Sequence, residues 1–318
     1  MKSNEQLHLK SKDPVVTKAD MAVADLTAGG LLVAEQMQTF IRVAIKEAVA
    51  TSLVTVTTMR NPTLEIPKMT TFGRVMRKAT ESEALPTAQR SKPGFDKTTI
   101  TSTEVIAEIH IPRQALEDQI ERETFQSSCM AYAGEHIRYD LEDLLVNGDS
   151  HSADTWLATV NGMLDSATSN TLAGGSVGLN KAILRDLFTT MPEQFDSQSN
   201  LQYWTNRKAR STYRSSIGDR GTSIGDAVIL GSLNKEIGYD DILLRQIPLF
   251  PSTLGTGNKT NVLLHDPKNA ILAFQRQMTL DTEYRISQRV YVMVVTMRLG
   301  FGYRHEPMIA KATDVIGA

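Results

Sequence analysis

ERETFQSSCMAYAGEHIRYDLEDLLVNGD, residues 121–149, is the stretch on which the fold turns. Phe125, Cys129, Ala133, Ile137, Leu141, Leu144 and Leu145 recur at three- and four-residue spacing, which predicts a helix over 121–147 with one apolar stripe. Asn147-Gly148-Asp149 stops it, since glycine readily takes the backbone angles that leave a helix. At 1.5 Å per residue such a helix is a rod of roughly 40 Å, long for a compact globule.

On the N-terminal side, residues 1–28 read as a polar arm. Lys2, Lys10, Lys12 and Lys18 mix with Glu5, Asp13 and Asp20, and too little apolar surface is present to offset the entropy of ordering. After Gly29-Gly30, the spacing of Leu32, Met37, Phe40, Ile41, Ala44, Ile45 and Ala48 predicts an amphipathic helix to about residue 50. Leu53–Thr58, Leu64–Pro67 and Thr98–His110 read as strands around a polar middle, 68–97, that holds Gly73, Pro86, Pro93 and Gly94. In the last of these runs Val105, Ala107 and Ile109 share one face, with Glu104, Glu108 and His110 on the other. A two-stranded excursion is marginal alone and must lean on something else.

On the C-terminal side, the pattern predicts a helix at Lys181–Met191, a strand at Leu201–Thr205, a helix at Arg207–Ser216 and a loop at Pro251–Lys259. Strands follow at Asn261–His265, Ala270–Phe274 and Arg289–Phe301. Val290, Val292 and Val294 alternate with Tyr291, Met293 and Val295, so the last run is apolar on both faces and reads as a central strand.

Composition narrows the function. The 318 residues are 41% hydrophobic, with 34 basic and 36 acidic residues and a net charge of -2. That argues against disorder throughout and against a strongly cationic nucleic-acid binder. No apolar run reaches membrane-span length, and MKSNEQLHLKSKDP has no hydrophobic signal core. The single cysteine, Cys129, excludes an intramolecular disulfide and a multi-cysteine metal site, as expected of a chain made in a reducing compartment.

Gly221-Thr222-Ser223-Ile224-Gly225 satisfies the G-x-S-x-G pattern, with Asp226 and His265 or His305 available as partners. The serine of that mechanism needs a strained turn between a buried strand and a helix. Here a polar glycine-containing loop, Ser215–Arg220, precedes it, so a flexible loop is the better reading. The six histidines lack metal-ligand spacing, no phosphate-binding glycine loop is present, and Glu81/Glu83 and Asp240/Asp241 read as solvated charge. The expectation is therefore no catalytic residue, no cofactor and no metal. An arm, a β excursion and a long helix are parts of a subunit completed by its neighbours.

The order of these parts resembles the HK97-fold major capsid proteins of tailed bacteriophages over nearly the whole chain. Gly29-Gly30-Leu31-Leu32 is similar to the family's entry from the N-terminal arm, and Leu64–His110, followed by Ile111-Pro112-Arg113, to its extended β loop. Asp140–Asp149 resembles the end of the spine helix, and Asn161-Gly162-Met163-Leu164 the step after it. Leu201–Arg207 resembles the axial domain's strand-to-helix entry. Val262-Leu263-Leu264-His265-Asp266 and Arg298–Gly302 leading to Glu306-Pro307 resemble the return to the peripheral domain, with His265 where glycine is usual.

The resemblance implies an α+β, HK97-like capsid fold. Its parts would be an N-terminal arm (1–28), an N-terminal helix and entry to the peripheral domain (29–58), and an extended β-hairpin E-loop (59–98). A peripheral domain (99–160) with spine helix 121–147, an axial domain (161–260) and a returning β-sheet (261–318) would follow. It implies a non-enzymatic shell protein that self-assembles into hexamers and pentamers of an icosahedral virion head around double-stranded DNA, made in the host cytoplasm. Neighbouring capsomers, a portal, a scaffolding function supplied separately or removed by cleavage, and a decoration protein are the implied partners. DNA contact would be weak and non-specific, and no membrane is involved. Competing readings are an encapsulin-type nanocompartment and a serine hydrolase using Ser223. Between Arg60 and Lys97, eight basic residues face four acidic ones, so the loop carries +4 in a chain of -2. Arg74, Arg77, Lys78, Arg90 and Lys92 are the assembly-interface candidates on that ground.

Overall fold

The computed structural model describes residues 48–70, 75–76, 78, 81, 84–114, 125–195, 200–221, 237–254 and 257–316. The arm and most of the helix expected before residue 50 lie outside these residues. After one helical turn, α1 (Ala50–Leu53), come β1 (Thr55–Thr58), β2 (Thr63–Thr70), β3 (Gly94–Thr101) and β4 (Thr103–Pro112). The long helix α2 (Phe125–Asn147) and the short α3 (Met163–Ser166) precede β5 (Asn170–Ala173), α4 (Lys181–Thr190), β6 (Gln202–Thr205) and α5 (Arg207–Gly218). Then follow β7 (Ile237–Tyr239), β8 (Ile242–Gln246), β9 (Lys259–His265), β10 (Ala270–Arg285), β11 (Val290–Tyr303) and β12 (Ala310–Ile316).

These strands build a four-stranded sheet in the order β1-β10-β11-β4, a six-stranded sheet in the order β5-β12-β9-β6-β8-β7, and the separate hairpin β2-β3. The fold is α+β. The six-stranded sheet is a wall between two cores, and the period of two along its central strands feeds both. Tyr203, Val262 and Leu264 point into a core shared with Leu184 and Leu187 of α4 and Tyr213 of α5. Their neighbours Trp204 and Leu263 point into the other, with Leu144 and Leu145 of α2 and Met297, Phe301 and Tyr303 of β11. Helices α4 and α5 start where asparagine caps them: Asn180 Oδ1 accepts from Ile183 N at 3.0 Å, and Asn206 Oδ1 from Ala209 N at 2.8 Å.

The end of α2 is fixed by a contact between two glycines. Gly162 N donates to Gly148 O at 2.8 Å. A Cβ on Gly148 would stand 2.2 Å from Val160 O, and one on Gly162 would stand 2.7 Å from Leu145 O. The helix stop and the following step are thus one close-packed corner. From that corner the chain is tied to its C-terminal part. Tyr303 Oη donates to Met163 O at 3.0 Å, and Lys311 Nζ to Leu164 O at 2.7 Å. The Glu306 carboxylate accepts the backbone N–H groups of Thr168 and Ser169 and the Ser169 hydroxyl. Burial pulls the Glu306 carboxyl up, but the hydrogen bonds from Ser169 and Thr168 outweigh it and hold it below the usual value.

Several sequence expectations need correction. The run Thr98–His110 is two strands, because the chain changes sheets at Ser102, whose N–H donates to Pro62 O and whose hydroxyl donates to Gln275 Oε1. The run Leu53–Thr58 begins as the end of α1 and becomes strand only at Thr55. β10 continues eleven residues beyond Phe274, because antiparallel pairing with β11 holds a polar, exposed stretch extended. Strands β5, β7, β8 and β12 had no counterpart in the hydrophobic pattern. α2 is helical from Phe125, with 121–124 outside the described residues. Of the stripe predicted on it, Leu144 and Leu145 are buried, whereas Cys129, Ala133, Ile137 and Leu141 are only half-buried. β11, by contrast, sits between β10 and β4 as its two apolar faces require.

His265 is fully buried, edge-on to Trp204 at 4.4 Å, and among the described residues neither ring nitrogen has a hydrogen-bond partner. Burial drives its pKa from 6.5 down to about 3, offset only slightly by the nearby Asp266 backbone. The unfolded chain therefore binds a proton that the folded chain refuses. Stability should fall as pH drops through 6.5 and continue falling towards 3, by up to about 5 kcal/mol. Urea titrations at pH 7 and pH 4.5 should show a smaller loss for His265→Leu than for the parent. Equal losses would mean that the ring is solvated. A second expectation concerns the corner: Gly148→Ala drives a Cβ into backbone and should cost several kcal/mol, read as insolubility or a much lower Tm.

Candidate assembly interface

Strands β2 and β3 pair antiparallel from Thr63↔Thr101 to Thr70↔Gly94, a hairpin with different faces. Leu64, Ile66 and Ile100 lie on one face, and Glu65, Pro67, Met69, Phe95 and Lys97 on the other. Ile100 is 1% exposed and joins Met59, Ile271 and Ala273 in a small core. Its seat is a notch in β11. A Cβ on Gly300 would stand 2.4 Å from Thr101 O, and one on Gly302 would stand 2.7 Å from Ile100 Cγ1. Only glycine permits this approach. The root of the hairpin is therefore locked to the four-stranded sheet by backbone contact.

The outer part is more exposed. Phe95 is 75% exposed and Met69, directly opposite, is 64% exposed, while Val75 and Met76 are exposed as well. Lys97 Nζ meets Glu65 Oε1 at 2.6 Å in an open pair that contributes little stability. Of the five basic candidates, Arg74 and Arg77 lie outside the described residues. Lys78, Arg90 and Lys92 are exposed, and Arg90 Nε donates to Leu85 O at 3.2 Å. Among the described residues neither Lys78 nor Lys92 has an ion-pair partner, so their charge is available to a neighbour.

The four-stranded sheet also has two different faces. On one, Glu104 accepts from Arg298 Nη2 at 2.8 Å and Arg276 Nη2 at 2.5 Å across three strands. Those hydrogen bonds, Arg298's first, hold its carboxyl below the usual carboxylate range. Glu108 is likewise lowered by the hydrogen bond with His110. This face satisfies its own charges. The other face meets α2 along an apolar seam that is incompletely closed. One cleft of about 130 Å³ runs between Val105, Met297, Ile137 and Trp156, and a second of about 70 Å³ between Met130, Gly134, Met278 and Met293.

Of the residues of the hydrolase reading, only the two histidines are described. Ser223 and Asp226 lie outside the described residues, and His265 is sealed in the core without a partner. His305 is half-buried, edge-on to Phe195, and its pKa is lowered by burial and by the charge of Lys68. The exposed Met69–Phe95 pair and the open seam were missed from sequence. The pair needs the hairpin register, and the seam needs the packing angle of α2 on the sheet.

Comparison with known proteins gives one answer. The model of the Phage capsid family matches residues 29–314. A Bacillus subtilis (strain 168) chain described as a prophage capsid protein, YqbE, is 29% identical over 307 residues, covering 95% of this chain and 98% of that one. Among solved structures, the capsid of a native GTA particle superposes with a TM-score of 0.67 at 15% identity, covering 93% of this chain and 100% of the other. The encapsulin of Synechococcus elongatus PCC 7942 superposes at 0.64 and 11% identity, covering 94% and 98%. The structural matches concern the fold, which is HK97-like.

The glycine seat can be tested directly. Gly300→Ala should unseat the hairpin root while leaving the two large cores folded. Limited proteolysis should then cut between residues 60 and 102 at least tenfold faster than in the parent, with little change in circular dichroism. An unchanged cleavage rate would show that the root does not rest on that glycine.

Proposed function

The chain belongs to the phage capsid family and is a shell-forming major capsid protein, and from that premise we propose that it closes, as hexamers and pentamers, into an icosahedral head around double-stranded DNA. One observation supports this most: the β2–β3 hairpin is locked at its root and displays the exposed apolar residues Met69 and Phe95 together with exposed basic groups. Residues 59–98 act as the extended loop that reaches an adjacent subunit. Residues 99–160 form a peripheral domain with α2 as its spine, and 161–260 form most of an axial domain, with 261–318 returning through both. A near-neutral wall suits a container through which DNA must slide, since a cationic lining would hold it.

The family points to a structural rather than a catalytic role. A portal, a separately supplied or proteolytically removed scaffolding function, and a decoration protein complete the assembly, which takes place in the host cytoplasm. A nanocompartment shell uses the same fold and would enclose a protein cargo instead of DNA. The family match over residues 29–314 favours the virion reading. Nuclease-protected DNA inside purified particles distinguishes the two.

The loop's +4 charge faces a remainder of about -6, so contact with a neighbour is attractive on average. Each exposed pair contributes only about 0–1 kcal/mol, but the contact repeats at every subunit. Arg74→Glu with Arg77→Glu should therefore cut particle yield severalfold while leaving circular dichroism unchanged. Wild-type assembly should weaken as salt screens the contact. Sedimentation across a salt series reads both, and particles from the double variant that match the parent in yield and salt response would remove these arginines from the interface.

A further inference from the structure

The chain contains two Asn-Gly bonds, Asn147-Gly148 and Asn161-Gly162, and the fold brings both to the corner that ends α2. Such a bond carries its own chemistry. The glycine nitrogen, with no side chain to hinder it, attacks the side-chain carbonyl carbon of the asparagine before it. A C–N bond forms and closes a five-membered succinimide. The side-chain nitrogen leaves as ammonia, taking up the proton that the glycine nitrogen gives up. Water then opens the ring at one carbonyl to give aspartate, or at the other to give isoaspartate, whose main chain is one carbon longer. Asn161 is exposed and Asn147 half-buried, so solvent access alone would leave both open to this reaction.

The corner withholds what the reaction needs. The nucleophile must first lose its proton, yet Gly148 N donates to Leu144 O at 3.0 Å and Gly162 N to Gly148 O at 2.8 Å. Both glycines are buried, out of reach of hydroxide. The asparagine side chains are held as well. Asn147 Nδ2 donates to Asp143 Oδ1 at 2.7 Å and to Leu249 O at 2.9 Å, and Asn161 Oδ1 accepts from Ser150 N at 2.8 Å. Ring closure at either site has to wait for the corner to open, and its rate follows the population of the open state.

The product cannot return. A Cβ on Gly148 would stand 2.2 Å from Val160 O and one on Gly162 2.7 Å from Leu145 O, so the corner has no room for an extra main-chain carbon beside either glycine. At position 147 ordinary aspartate is excluded too. A carboxylate there would face Asp143 and the Leu249 carbonyl, both of which only accept. At position 161 aspartate keeps an oxygen for Ser150 N, so there only the isoaspartate is excluded. We propose that this corner is a site of covalent ageing that folding closes: Asn147 and Asn161 deamidate in a chain whose corner is open, and the converted chain cannot rebuild it. The consequence goes beyond shell building and does not depend on it. A folded subunit keeps both bonds for as long as the corner holds, whereas a chain that lingers unfolded is lost to folding.

The test follows both bonds by peptide mass spectrometry in the full chain, kept folded in buffer or unfolded in guanidinium chloride at the same mildly alkaline pH. Deamidation at both positions should be at least tenfold faster in the unfolded chain, and a smaller ratio at either position overturns the proposal. Diluting the aged chain out of denaturant tests its return. Isoaspartate at 147 and 161 should be at least tenfold depleted in the soluble, folded fraction relative to the precipitate; an even distribution overturns the proposal. Because none of these measurements needs a particle, failure of the shell reading would leave them unaffected. Two variants then separate charge from backbone without ageing. Asn161→Asp should keep the parent's Tm, while Asn147→Asp should lower it by several degrees or abolish folding. A parent-like Asn147→Asp, or an unfolded Asn161→Asp, would show that the corner contacts do not decide which products are refused.

Discussion

Where β11 passes the hairpin root, backbone meets backbone. Thr101 O would lie 2.4 Å from a side-chain carbon on Gly300, and Ile100 drops into the space that Gly302 leaves. Side-chain contacts in a core can relax when a neighbour changes, but two main chains held this close cannot, because each is fixed by its own ladder of hydrogen bonds. The angle at which the hairpin leaves the sheet is therefore a property of the folded chain. It does not wait for a neighbour. A projecting element set in advance loses less freedom on docking than a floppy one, so more of its contact energy appears as affinity.

β11 carries that constraint into the rest of the molecule. Its fourteen residues pair with β10 on one side and with β4 on the other. Val295 and Met297 pack under α2, Arg298 joins Glu104, and Tyr303 reaches across to Met163. The Tyr303 bond lands one residue beyond the Gly148–Gly162 corner, and Glu306 holds the next turn of chain at Thr168 and Ser169. Helix end, hairpin root and C-terminal strands are thus parts of one frame.

Much of that frame was legible in the sequence. The helix stop at Gly148, the central position of β11 and the step from Thr205 through Asn206 into a helix each follow from a local signal: a breaker residue, two apolar faces, or a cap. What was not legible depends on partners distant in sequence. The outer half of β10 is polar because it stands in the open, so its pattern resembled a loop. Only pairing with Thr296–Val290 makes it a strand. Thr98–His110 looked like one strand because alternation continues through Ser102 while the chain changes sheets. Charge counting selected Arg74, Arg77, Lys78, Arg90 and Lys92, and it overlooked Met69 and Phe95. Isolated apolar residues in a polar stretch carry no period, and only the Met69↔Phe95 register brings them side by side.

The division between a rigid frame and underfilled edges has a thermodynamic reading. A shell subunit has to fold before it meets its neighbours, so its own cores must suffice, and here the two large ones enclose Trp204, Tyr203, Leu184 and Leu263 without outside help. Contacts between copies obey the opposite requirement. If each were as strong as a core, a misplaced subunit could not leave, and errors in curvature would be locked in. Contacts that each contribute only a modest free energy meet that requirement. Ring closure then makes the remaining contacts of a capsomer effectively intramolecular and raises their combined strength without any new bond. Half-buried positions such as Ala133 and Ile137 of α2 lie at the edge of that frame, where the helix keeps apolar surface beyond what its own core buries.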